Sequence, residues 1–120
     1  MSKKQATFGQ ALREKRLAKK FSLRKFAELV GVSPTYLSQV EQENVDPPTA
    51  ERVQRMAELL GENADEWIAL AGRVPEDVPG LIHQQPTKMP RLLREASGLS
   101  PKQLQELMDQ LRRIKAEGDE

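Results

Sequence analysis

The spacing of apolar residues is the feature of this 120-residue chain that most restricts its fold. Apolar side chains recur at intervals of three and four residues between glycine and proline breakers, and strict alternation nowhere extends over a useful length. Intervals of three and four place apolar side chains on one face of a helix, whereas a half-buried strand needs alternation. The sequence therefore predicts an all-α fold without strands.

Capping residues and glycines divide residues 1–72 into five predicted helices. The first runs from about residue 8 to residue 19, and residues 42–48 form a loop. The N-caps of the other four are Ser22, Ser33, Thr49 and Asn63, and their stops are Gly31, Glu41, Gly61 and Gly72. Asn63 with Glu66 predicts a capping box. The predicted buried residues are Phe8, Leu12, Leu23, Phe26, Ala27, Val30, Leu37, Val40, Val53, Met56, Ala57, Leu60 and Trp67.

Residues 73–120 form a second predicted part, which is rich in proline at its start. The prolines break this segment into short pieces, with brief helices near residues 81–85 and 89–96. The last helix is predicted most clearly. Ser100 suits its N-cap, Pro101 suits its first position, and Gln103 completes a capping box, so that the helix reaches about Ala116.

The chain contains no cysteine, and His83 is its only histidine. This composition excludes disulfides and thiolate metal sites, and we expect neither a metal nor a cofactor. No nucleophile–base pair and no phosphate-binding glycine loop is present, so we expect no catalytic residues and no enzyme activity. There is no signal segment and no apolar run near the roughly 20 residues that span a bilayer, which predicts a cytoplasmic protein without a membrane partner.

The formal net charge of +1 conceals an uneven distribution of charge along the chain. Residues 1–25 hold nine basic residues and one acidic residue, Glu14, whereas residues 26–85 hold three basic and eleven acidic residues. A basic segment suits the phosphate backbone of nucleic acid, although a solvated helix face has the same composition. Charge alone leaves both interpretations open.

A short segment with small and flexible residues joins the second and third predicted helices. Ala27 lies mid-helix, Gly31 lies at the turn, and the apolar residue Val32 follows it. Two helices that cross steeply through a short turn need a small side chain at the crossing and a flexible residue at the corner. Over residues 8–72 the sequence resembles the XRE family, the lambda-type phage repressor and Cro group. The resemblance rests on Phe8, Leu12, Arg16, Ser22, Ala27, residues 31–33, residues 36–41 and the pair Pro48-Thr49.

This resemblance implies a five-helix, lambda-repressor-like helix-turn-helix domain at residues 1–72 that binds double-stranded DNA with its third helix in the major groove. It implies that Thr35 and Gln39 face base edges, with Tyr36 and Ser38 at the groove rim. A glutamine amide matches N6 and N7 of adenine. The implied phosphate contacts are Arg13, Ser22, Arg24, Gln42 and Asn44, and the implied structural ion pair joins Arg16 to Glu41.

Four residues depart from the family pattern. Leu23 replaces a polar residue that commonly opens the second helix, and Lys20 stands where glycine is frequent. The loop after the third helix carries Glu43 and Asp46 where glycine and basic residues are common. Since acidic side chains repel phosphate, we expect DNA affinity to depend on the basic amino-terminal segment, on dimerisation, or on both.

The last predicted helix carries an apolar seam with alternating spacings of three and four, formed by Leu104, Leu107, Met108, Leu111 and Ile114. Such a seam needs a partner helix. It is the dimer interface with a second copy, or it packs within the chain onto the helix around Leu92 and Leu93, or both hold and a helical hairpin presents a shared face across a two-fold axis. We expect a nucleoid-associated repressor that binds an inverted-repeat operator as a homodimer. The alternative is an antitoxin or partner-controlled regulator whose residues 73–120 bind another protein.

Overall fold

The computed structural model describes residues 6–118, and every regular element in this range is an α-helix. This confirms the predicted all-α class. The helices are α1 (Phe8–Ala18), α2 (Leu23–Val30), α3 (Pro34–Glu41), α4 (Ala50–Leu60), α5 (Ala64–Leu70), α6 (Val78–Gln84), α7 (Lys88–Ala96) and α8 (Pro101–Gly118). The chain divides into two compact units, of which the first extends to Val78 and the second begins at Pro79.

Side-chain caps begin all five helices of the first unit. The predicted caps Ser22, Ser33, Thr49 and Asn63 each accept a hydrogen bond from the backbone N–H three residues later. Gly31 and Gly61 end α2 and α4 in the left-handed conformation, with φ of 86° and 70°.

Two caps of the first unit differ from the sequence prediction. The predicted capping box at Asn63 is half-formed within residues 6–118, because the Asn63 side chain accepts from Glu66 N–H and the Glu66 side chain returns no bond. A complete capping box lies instead at the start of α1, where Thr7 Oγ1 and Gln10 Oε1 each accept from the other residue's backbone N–H. This cap was not predicted, although Thr7 and Gln10 have the required spacing.

The core of the first unit forms where the apolar faces of α1 to α5 meet. Helix α4 packs against α5 and α2, and α3 packs against α2 and α1. The edge of the Phe8 ring meets the Trp67 ring, with centroids 5.8 Å apart. Leu23 is only partly buried at the edge of this core, although the sequence predicts its burial. The buried residues are Phe8, Leu12, Phe26, Ala27, Val30, Leu37, Val40, Ala50, Val53, Met56, Ala57, Leu60, Trp67, Ile68 and Ala71.

A backbone contact sets the distance between α1 and the end of α3. A Cβ atom added at Gly9 would lie 2.7 Å from the carbonyl oxygens of both Val40 and Glu41. Real Cβ atoms essentially never approach that closely. The absence of a side chain at Gly9 therefore allows the first turn of α1 to touch the last turn of α3.

Within residues 6–118, the non-glycine residues with positive φ are Lys20, at 62°, and Glu43, at 64°. Lys20 stands where the resemblance implies glycine, and Glu43 lies in the loop where it implies glycine and basic residues. A side chain in this left-handed region costs about 1–2 kcal/mol relative to the right-handed one. These departures therefore place strain in the two loops that border α2 and α3.

The second unit contains α7, α8 and nearly all of α6. Helix α6 begins at Val78 rather than near residue 81 because Pro79 lies in its first turn, where a missing N–H breaks no helical bond. Helix α7 begins at Lys88, one residue earlier than predicted. Both predicted bonds of the Ser100–Gln103 capping box are present at the start of α8.

None of the side chains of α6, α7 and α8 is buried. Leu92 and Leu93 are 38% and 54% exposed, so neither side chain is buried by another part of the chain. Of the seam residues, Leu104, Met108, Leu111 and Ile114 are exposed and Leu107 is partly buried. Between residues 6 and 118, none of the helices combines the length and the apolar composition that a membrane span requires.

Candidate nucleic-acid interface

Four polar residues of α3 and its C-cap form one surface stripe: Thr35, Ser38, Gln39 and Gln42. Their spacing of three, four and seven residues from Thr35 places them on one face of the helix. Leu37 and Val40 lie on the opposite face, in the core. This burial fixes the rotation of α3, so the polar stripe faces away from the first unit.

Tyr36 lies at the flank of this stripe. Its side chain is partly buried and packs against the core, whereas Thr35 is exposed. The packing holds Tyr36 beside the stripe, where its ring contributes to the stability of α3.

A chain of side-chain hydrogen bonds joins the end of α3 to the following loop. Gln42 Nε2 donates to Ser38 Oγ at 3.0 Å, and Asn44 Nδ2 donates to Gln42 Oε1 at 3.2 Å. Asn44 N–H also donates to the Gln39 carbonyl at 3.0 Å. These bonds orient the Gln42 and Asn44 amides before any ligand binds.

The Gln39 amide is half-buried and makes no side-chain hydrogen bond to any other residue between 6 and 118. Its donor and acceptor are both available to a ligand, whereas the Gln42 amide already bonds through its oxygen and through one of its two N–H groups. Gln39 is therefore the residue of the stripe best suited to a bidentate contact with a base edge.

The structure places Arg16 and Glu41 in a buried, bidentate ion pair. Arg16 Nε lies 2.7 Å from Glu41 Oε2, and Nη2 lies 2.9 Å from Oε1. The remaining amine, Nη1, donates to the Phe21 carbonyl at 2.9 Å. The two side chains are 8% and 6% exposed, so the pair fastens α1 to the end of α3 and to the α1–α2 loop.

The hydrogen bonds to Glu41 raise the pKa of Arg16 above its ordinary value, while desolvation opposes the shift. A group whose pKa is raised on folding stabilises the fold below its unfolded-state pKa. The contribution of Arg16 is therefore complete at neutral pH and is lost only in strongly alkaline solution.

The residues implied to contact phosphate lie in three places: Arg13 and Gln42 line one cavity, Ser22 and Arg24 lie at the start of α2, and Asn44 lies in the loop after α3. A surface cavity of about 370 Å³ brings Arg13 and Leu23 next to Ser38 and Gln42. Ser22 Oγ accepts from Lys25 N–H as the N-cap of α2, so the serine is already used in a structural bond. Arg24 is exposed in the first turn of α2. Its position, next to free N–H groups at a helix start, suits an anion.

Arginines also hold the connections between the first four helices. Of these arginines, Arg52 and Arg73 were not predicted to have this role. Arg16 donates to the Phe21 carbonyl between α1 and α2, and Arg52 Nη1 donates to the Gly31 carbonyl between α2 and α3 at 3.0 Å. Arg73 Nε donates to the Pro48 carbonyl between α3 and α4 at 3.1 Å. No local sequence signal marks such bonds, because the partners are backbone groups distant along the chain.

Residues 12–67 of the sequence match the helix-turn-helix family HTH_3. No curated protein matches the sequence. Similar solved structures include the DNA-binding domain of SinR from Bacillus subtilis, 26% identical over 51% of this chain and 88% of that chain, with a TM-score of 0.46. The SinR chain of a SinR–SinI complex is 24% identical over 92% and 99% of the two chains, with a TM-score of 0.48. ClgR, the clp gene regulator from Corynebacterium glutamicum, is 25% identical over 77% and 92%, with a TM-score of 0.47. Over residues 12–67 the chain is therefore similar to this helix-turn-helix family.

Proposed function

We propose that this protein is a sequence-specific repressor that binds an inverted-repeat operator as a homodimer. The observation that carries the proposal is the polar stripe of α3, which ends in an oriented amide chain and contains the unoccupied Gln39 amide. A helix with such a face fits the width of the major groove. A dimer that is bound across a promoter covers the promoter DNA and so represses transcription.

Within this proposal Gln39 pairs with N6 and N7 of an adenine, and Thr35 contacts a thymine through its hydroxyl or methyl group. Ser38 and Tyr36 lie at the groove rim. Phosphate contacts come from Arg13, Ser22, Arg24, Gln42 and Asn44. Among these residues only the two arginines carry charge, so counterion release from this set is small and affinity depends strongly on having two protomers on the DNA.

The dimer interface in this proposal is the seam of α8, because its apolar side chains are left exposed in the single chain. Charge along α8 favours a second copy in antiparallel orientation. Residues 101–109 contain one lysine and two acidic residues, a net −1, whereas residues 110–118 contain three basic residues and one acidic residue, a net +2. Antiparallel pairing places halves of opposite charge side by side. Two recognition helices about 34 Å apart would then read half-sites one helical turn apart.

Replacing Leu111 with lysine tests this interface. We expect the wild-type protein to sediment at twice the 13.6 kDa chain mass, and the Leu111→Lys protein to sediment as a monomer. A buried lysine would remain unpaired in the seam. The matched control is Gln105→Lys, which adds the same charge away from the seam on α8 and leaves the dimer intact. Monomeric wild-type protein, or a dimeric Leu111→Lys variant, would contradict the proposed interface.

Selection of bound sites from random duplex DNA tests base reading. The wild-type protein is expected to enrich an inverted repeat. Gln39→Ala should relax the sequence preference at one base pair in each half-site, with discrimination there reduced by about 1–3 kcal/mol. Gln54→Ala, which removes an exposed amide from α4, should leave the motif unchanged. If wild-type protein enriches no motif at a low, stated salt concentration, sequence-specific binding is ruled out.

The exposed apolar surface of the second unit also favours a second candidate, a regulator or antitoxin that binds a different protein through residues 73–120. The same seam would then receive a helix of the partner. The two candidates differ in the behaviour of the purified chain. A wild-type monomer that enriches single half-sites would favour the heterologous partner, whereas a dimer that enriches inverted repeats favours the repressor.

A further inference from the structure

The α3–α4 loop, residues 42–48, depends on a side chain from beyond α5 for its conformation. Regular backbone bonding from α3 ends at Asn44, and that of α4 resumes at Thr49, whose carbonyl accepts from Val53 N–H. Between them, Pro47 and Pro48 have no N–H with which to form backbone bonds. The loop between these two points therefore has no regular backbone hydrogen bonds of its own.

Arg73 supplies the missing bonds. Its Nε donates to the Pro48 carbonyl at 3.1 Å, and its Nη2 donates to the Pro47 carbonyl. In the part of the chain between residues 6 and 118, no other group donates to these two oxygens. A planar guanidinium that holds two consecutive carbonyls fixes both their positions and their directions.

The same loop carries Gln42 and Asn44, which the proposed function assigns to phosphates. Their amides are oriented at one end by Ser38, in α3. At the other end, buried Pro48 and the clamp from Arg73 hold the chain. Loosening this end would let the loop carry its amides away from the duplex, because Glu43 between them has a strained positive φ that favours rearrangement.

We propose that Arg73 is a positioning residue for DNA binding: it holds the α3–α4 loop so that Gln42 and Asn44 meet phosphates, and it does not itself contact DNA. The proposal rests on the proposed function. Its physical basis is that Nε and Nη2 both point at carbonyls of the loop. Replacing Arg73 with an uncharged residue therefore removes the hydrogen bonds that hold the loop, and removes no phosphate contact.

The salt dependence of DNA affinity separates these two roles. Gln42 and Asn44 are uncharged, so losing their phosphate contacts does not change the number of counterions that DNA releases when the protein binds. We expect Arg73→Ala to weaken binding to the selected operator by about tenfold. The slope of log affinity against log salt concentration should stay at the wild-type value. In the matched control, Arg24→Ala, the slope should become shallower by about 0.9 per protomer. Wild-type affinity for Arg73→Ala, or a slope change equal to that of Arg24→Ala, would overturn the proposal.

A double-mutant cycle tests whether Arg73 acts through the loop. In a Gln42→Ala/Asn44→Ala background, Arg73→Ala should cause no further loss of affinity. If Arg73→Ala instead causes the same loss in this background as in the wild-type protein, its effect is generally structural and the proposal is overturned. Arg73→Lys, which keeps the charge but replaces the planar guanidinium with a single ammonium group, should bind with intermediate affinity. Fluorescence of Trp67 verifies that each variant is folded. If the wild-type protein selects no operator, the proposed function is refuted. If it selects one and Arg73→Ala binds that operator with wild-type affinity, only the role of Arg73 is refuted.

Discussion

Replacing Glu41 with alanine is expected to lower the free energy of unfolding of the first unit by about 3–5 kcal/mol. The substitution leaves the Arg16 guanidinium buried without its two carboxylate bonds, while only the Phe21 carbonyl remains as an acceptor. A buried charge without a counter-ion carries a large desolvation cost. Urea unfolding followed by the fluorescence of Trp67, the single tryptophan and a core residue of this unit, measures the loss.

Two further variants show whether burial is the cause. Glu62→Ala removes a salt bridge to Lys15 of similar length, 3.1 Å, but on the surface, and should cost less than about 1 kcal/mol. Arg16→Met combined with Glu41→Leu removes both charges and should recover much of the stability lost in Glu41→Ala. If Glu41→Ala and Glu62→Ala cost the same, the buried pair has no special role in joining α1 to α3.

The helices of the first unit were predictable because their signals act over short distances. An N-cap side chain bonds to an N–H three residues away, and a glycine ends a helix because it adopts a positive φ. Each helix boundary therefore depends on residues close to it in the sequence. The caps Ser22, Ser33, Thr49 and Asn63 are all used in the structure. The early start of α6 at Val78 was harder to predict, since Pro79 is equally suited to a loop and to a first helical turn.

The candidate site likewise has features that were predictable from local sequence and features that were not. Periodicity alone predicts that Thr35 and Gln39 share the polar face of α3, because Leu37 and Val40 must point into the core. The bonds from Arg52 and Arg73 to backbone carbonyls were not predictable, since their partners are 21 to 26 residues away and carry no side-chain signature. An arginine can therefore hold a loop in place without any local sequence signal of that role.

Adding a single methyl group at Gly9 is expected to destabilise the first unit by about 2–3 kcal/mol. Glycine to alanine within a helix ordinarily stabilises by up to about 1 kcal/mol, because alanine has the higher helix propensity. Here the added Cβ would lie 2.7 Å from two backbone carbonyl oxygens at the end of α3, and a backbone cannot yield as a side-chain tip does. The steric term therefore reverses the usual sign. Trp67 fluorescence during urea unfolding measures the change, since the Trp67 ring packs on neighbouring Phe8.

Gly80 provides the matched control. It is also helical, and a Cβ added there would meet nothing within 4 Å, so Gly80→Ala should be neutral or slightly stabilising. Because Gly80 lies in the second unit, its effect is measured by the loss of helical circular dichroism during urea unfolding. A Gly9→Ala protein as stable as the wild type would show that α1 and α3 can separate without cost.

Gly9 and Arg16 are seven residues apart, so they share one face of α1, and both meet Glu41, one at its carbonyl and the other at its carboxylate. If these two contacts together set the position of α3, Gly9→Ala must also strain the ion pair. The losses from Gly9→Ala and Glu41→Ala should then combine to less than their sum, because either change alone already releases the end of α3. Strictly additive losses would instead mean that the backbone contact and the ion pair fasten α3 independently.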